Sequence, residues 1–85
     1  MPEEPLRILI REKLARGLLP REDCSKVFGG PANGETCVAC SDTVAKTQLV
    51  MEYVGEHYPR ALQFHVVCFY IWDSERRTPG YEPRA

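Results

Sequence analysis

Residues 37–68 read CVACSDTVAKTQLVMEYVGEHYPRALQFHVVC, and this segment sets the architecture. It begins with Cys37-Val38-Ala39-Cys40 and closes with His65-Val66-Val67-Cys68, two pairs with 24 residues between them. A two-residue spacer lets one tight turn aim two side chains at a single point. Two such pairs complete the four corners that structural zinc takes from thiolate and imidazole donors. Cys37, Cys40, His65 and Cys68 are therefore the expected ligands, and one Zn2+ per chain is the expected cofactor. A single imidazole among three thiols favours zinc over an iron–sulfur cluster. The alternatives are a thiol–disulfide pair, a disulfide framework, inert buried cysteines, and for His65 a purely structural histidine. The redox reading wants Cys-x2-Cys to open a helix, and Ser41-Asp42-Thr43-Val44 is poor material for one.

Between the pairs the apolar period is two. Across 46–54 Leu49, Met51 and Tyr53 share a face, and across 61–66 Leu62, Phe64 and Val66 do the same. The polar residues Gly55 to Arg60 connect them, which predicts a β-hairpin. His57 falls in that connection as a solvated imidazole. From about Val67 to Arg77 the period becomes helical, with Cys68, Ile71, Trp72 and Glu75 within one or two turns of each other. Phe69 and Trp72 are expected under the hairpin, and Glu75, Arg76 and Arg77 at a solvated helix end. A thiolate in the first turn of this helix gains from the positive end of the dipole.

Upstream, residues 1–19 predict an amphipathic helix with the stripe Leu6, Leu9, Ile10 and Leu14, stopped by Gly17 and Pro20. Residues 20–36, with Gly29-Gly30-Pro31 and Asn33-Gly34, read as a loop. The expected organisation is helix 1–19, loop 20–36, zinc-binding domain 37–78 and tail 79–85. Cys24 stands apart from the paired pattern as a free thiol or a substitute ligand for His65.

The order of knuckle, hairpin and ligand-donating helix resembles the treble-clef zinc finger over roughly residues 35–77. The Cys-x2-Cys and His-x2-Cys pairs are also similar to the first zinc site of a LIM domain. The gap between them is longer than LIM domains usually show, and no further Cys or His pair follows Cys68. The resemblance implies an α+β fold, with Cys37 and Cys40 as knuckle ligands, His65 ending the hairpin and Cys68 in the helix. The whole chain also resembles short uncharacterised bacterial proteins with a leading helix, a Gly-Gly-Pro loop and a closing His-x2-Cys-Phe helix, a likeness that implies no activity.

Composition narrows the function classes. The chain has 85 residues, 11 Lys and Arg against 12 Asp and Glu, and a net charge of −1, enough for one domain and without a bulk charge that draws nucleic acid or membrane. The longest apolar run, Val66 to Trp72, is seven residues, far short of the ~20 that span a bilayer. The acidic start Met-Pro-Glu-Glu-Pro lacks the apolar core of a secretory signal, which favours the cytoplasm. Four closed ligands leave zinc no open position for water, so no enzyme is expected.

The leading expectation is an interaction or adaptor module that binds another protein, with oligomeric state open. A nucleic-acid-binding zinc finger is the alternative. It is weakened by residues 1–26, where six basic and five acidic groups balance to +1. A redox sensor using Cys24 near the metal is the third reading.

Overall fold

The computed structural model describes residues 3–22, 26–58 and 60–77. Its elements run α1 (Glu3–Ala15), β1 (Lys26–Pro31), β2 (Leu49–Val54), β3 (Leu62–His65) and α2 (Val66–Arg76). Among the described residues this is an α+β chain of two helices and one antiparallel sheet in the order β1-β2-β3. No helix among these residues is long and apolar enough to cross a membrane.

α1 begins with Glu3 and Glu4 at the positive end of its dipole, and it buries Leu6, Ile10 and Leu14 at every fourth position. Leu9, expected on that stripe, is only half-buried. The helix stops where Gly17 adopts φ +74, a left-handed conformation that glycine takes without penalty. Leu18 N–H donates to Lys13 C=O at 2.8 Å and Gly17 N–H to Leu14 C=O at 3.1 Å, closing a Schellman cap. Leu19 then turns into the core, while Leu18 remains exposed.

The expected loop over 20–36 is corrected by β1, which occupies residues 26–31 and pairs with β2 from Lys26↔Val54 to Pro31↔Leu49. Two glycines and a proline hide this strand from propensity. Its place at the sheet edge explains why they are tolerated. Ala32 N–H donates to Gln48 C=O at 3.0 Å. Hydrogen-bonding positions alternate along an antiparallel pair, so Pro31 sits where an N–H would point away from β2 and nothing is lost by its absence.

β2 and β3 form the expected hairpin, shortened to 49–54 and 62–65, because Gln48 and Ala45 bond to each other in a turn over 45–48. Met51 pairs with Phe64 and Tyr53 with Leu62, which puts these four residues on one face. α2 lies across that face. The Trp72 ring sits 5.3 Å from Phe64 and 5.4 Å from both Tyr53 and Phe69, and its Nε1 donates to Pro20 C=O at 2.8 Å.

α1 packs in turn against α2, so its stripe is covered by its own domain. The expected solvated end of α2 is also corrected. Glu75 is 3% exposed and is held by Arg7 and by Arg11, the latter at 2.9 Å. The Arg76 side chain is 7% exposed, ion-paired to Asp73 at 2.7 Å and stacked over Trp72. Only Arg77 has the expected exposure. The tail 79–85 lies outside the described residues.

Candidate metal centre

The first ligand pair is built by a miniature hairpin. Val44 N–H donates to Glu35 C=O, Thr36 and Thr43 form an isolated bridge, and Cys37 N–H donates to Asp42 C=O. At the tip Ser41 N–H donates to Cys37 C=O at 2.8 Å, with Ser41 at φ +71. This winds residues 37–41 into a knuckle whose two side chains converge. Val38 N–H donates to Gln63 C=O at 2.8 Å and ties the knuckle to the outer edge of β3.

The second pair comes from the junction of β3 and α2, which has no intervening loop. His65 ends the strand and caps the helix with φ −60 and ψ 152, and Cys68 follows in the first turn. Strand alternation turns His65 to the face opposite Phe64, beside Val50.

All four expected ligands meet. One donor atom from each of Cys37, Cys40, His65 and Cys68 lies within 4.8 Å of the others. His65 Nδ1 is 3.4 Å from Cys40 Sγ and 3.8 Å from Cys68 Sγ. A tetrahedral zinc with ordinary bond lengths separates sulfur from nitrogen by about 3.5 Å and sulfur from sulfur by about 3.8 Å. The donor set and its spacing therefore suit a metal ion of that size.

The imidazole is held in the tautomer that such an ion requires. His65 Nε2 lies 3.1 Å from Thr43 C=O. A carbonyl only accepts, so the proton resides on Nε2 and leaves the Nδ1 lone pair facing the sulfurs.

The thiols are differentiated. Cys37 sits well below the usual thiol range, because the Cys68 S–H bonds to its sulfur and N–H groups of Cys40, His65 and Ala39 point at it, against the effect of burial. That same bond, together with burial, pushes Cys68 up, and burial pushes Cys40 up. Cys37 is thus the most acidic of the three thiols, and a divalent cation bound here would displace the protons held by Cys40 and Cys68. Cys37 and Cys68 are buried and Cys40 half-buried, and no disulfide joins the three.

The centre opens towards two hollows. One, of about 180 Å3, is lined by Leu6, Asp42 and Val67 with the ligands Cys40, His65 and Cys68. The other, of about 310 Å3, lies between Leu49 and Val67 beside His65.

Other candidates fall elsewhere. His57 is exposed in the hairpin connection, 2.9 Å from the Glu22 carboxylate, which raises its pKa. Cys24 lies outside the described residues. Three neighbours of the site were not legible as such. Thr43 acts through a backbone carbonyl that any residue supplies. Ser41 acts through a left-handed turn, and Lys13 reaches the knuckle across 25 residues of sequence separation.

No known protein family, curated protein or solved structure matches the chain.

Proposed function

We propose that this is a structural zinc protein of treble-clef type, carrying one Zn2+ per chain and serving in the cytoplasm as an interaction module for another protein. The observation that carries the metal reading is the convergence of three thiols and one imidazole within 4.8 Å. Knuckle, hairpin and first helical turn supply them in treble-clef order. Four protein donors occupy a tetrahedral ion fully, which supports a structural rather than a catalytic metal. When bound, the ion would cross-link knuckle, strand end and helix start, and most of the stability around residues 35–68 would depend on it.

The interaction reading is supported by the exposed apolar side chains Leu49 and Val67, which line the hollow beside His65. α1 supports it less than its stripe promised, because Leu6, Ile10 and Leu14 are buried at home. Binding to nucleic acid is disfavoured further, since Arg7 and Arg11 are engaged by Glu75.

Native mass spectrometry of the purified protein beside an acid-denatured sample tests the metal reading. One zinc per chain, lost together with the folded charge states, is expected. A reduced protein that takes up no zinc on titration overturns it.

A further inference from the structure

α1 borders the metal centre at two places that the ligand set does not explain. Lys13 Nζ, in its last turn, donates to Val38 C=O at 3.1 Å and to Ser41 Oγ at 3.3 Å. These two acceptors flank Cys40 in the knuckle. Near the other end of the helix, Leu6 is buried and lines the hollow that Cys40, His65 and Cys68 share. One helix therefore reaches along the site from Leu6 to Lys13.

The two Lys13 contacts add to the backbone hydrogen bonds of the knuckle and are side-chain ties to it from α1. The N–H of Val38 is taken by β3, and its C=O is taken by Lys13. Ser41 holds φ +71, a left-handed conformation that non-glycine residues rarely adopt. A side-chain contact from α1 helps to keep it there. Charge acts in the same direction. Three thiolates and a neutral imidazole around Zn2+ leave one net negative charge, which a nearby ammonium offsets.

We propose that Lys13 is a positioning residue for the metal centre, clamping the Cys37–Cys40 knuckle to α1 so that metal binding and helix docking stabilise one another. The proposal rests on the zinc reading above. The coupling is reciprocal by linkage: whatever α1 adds to metal affinity, bound metal returns to α1 docking.

The test measures zinc affinity by competition with a chromophoric chelator for the parent, Lys13→Met, Lys13→Arg and Lys26→Met. Lys26 is exposed and lies at the opposite end of β1 from Pro31, so its loss controls for charge alone. Amide hydrogen exchange of α1 is followed with and without chelator. Lys13→Met is expected to weaken zinc binding about tenfold, the lower end of what neighbours of metal ligands contribute. Lys13→Arg should fall between it and the parent, and Lys26→Met should stay within about twofold of the parent. Chelation should speed exchange in α1 of the parent and do so less in Lys13→Met. Parent-like zinc affinity in Lys13→Met overturns the coupling, as does α1 exchange that ignores the metal. A parent protein that binds no zinc overturns the zinc reading instead, and the first titration shows which has failed.

Discussion

At the Trp72 end of the molecule four aromatic rings, those of Tyr53, Phe64, Phe69 and Trp72, pack edge to face or tilted within 5.6 Å of a neighbour. Beside them Glu75 is clamped by two arginines of α1. At the Cys37 end most of the buried side chains are small, Cys37, Ala39, Val44 and Cys68, with Leu6 of α1 beside them. There the shape is held by the backbone hydrogen bonds of the knuckle and by the Lys13 contacts, around four donor atoms placed so that they could hold a metal ion. The first end is stabilised by apolar burial, which is insensitive to chelators and only weakly sensitive to pH. On the zinc reading proposed above, the second depends on a cation.

The largest expected effect comes from removing a ligand. Cys37→Ser should lose tight zinc binding and lower the thermal midpoint by more than about 15 °C, since several kcal/mol of metal-linked stability is at stake in a domain this small. Amide protection should vanish first at residues 35–44 and last around Trp72. Native-like protection at 35–44 in this variant would falsify the contrast between the two ends.

A smaller effect is expected from Glu75→Gln, which weakens the carboxylate's hold on Arg7 and Arg11. Both arginines are partly exposed, so the cost after solvent screening is about 1–2 kcal/mol. Burial raises the Glu75 carboxyl, yet Arg11 and Arg7 outweigh it and hold the group below its ordinary range. A depressed folded pKa contributes stability above the unfolded value of about 4.3, and that contribution is lost as pH falls through the folded value. Denaturant melts of parent and variant should therefore differ by a constant amount from pH 7 to about pH 5 and converge in stronger acid. Any acid release of metal would act on both proteins alike. A difference that grows towards low pH would show that Glu75 is not stabilised as a carboxylate.

The smallest effect concerns His57, whose pKa the Glu22 carboxylate raises at an exposed site. A raised imidazole contributes below the unfolded value of about 6.5, and that contribution is lost as pH rises through the folded value. In an NMR titration, His57 of the parent should titrate above its counterpart in Glu22→Gln, with no measurable change in melting temperature. Identical titration curves would show that the contact does not persist in solution.

The ligands were legible because metal chemistry demands particular residue types at short spacings, and Cys37-x2-Cys40 and His65-x2-Cys68 satisfy it locally. The hairpin and α2 were legible from period-two and helical patterns, and the end of α1 from Gly17. β1 was not, because an edge strand exposes its residues and tolerates glycine and proline, so no alternation marks it. Glu75 did carry a signal: a carboxylate on the same side as Cys68, Ile71 and Trp72 asks for a buried partner. Only the packing of α1 on α2 named that partner as Arg7 and Arg11.

What the residue order alone determined is therefore short-range: which atoms can ligate, which segments alternate, and where the first helix must stop. The tertiary structure decided the rest. Which element α1 packs on, which carbonyl orients His65 and which lysine reaches the knuckle depend on contacts spanning 22 to 68 residues. Such contacts arise only when the chain closes on itself, and no local periodicity encodes them.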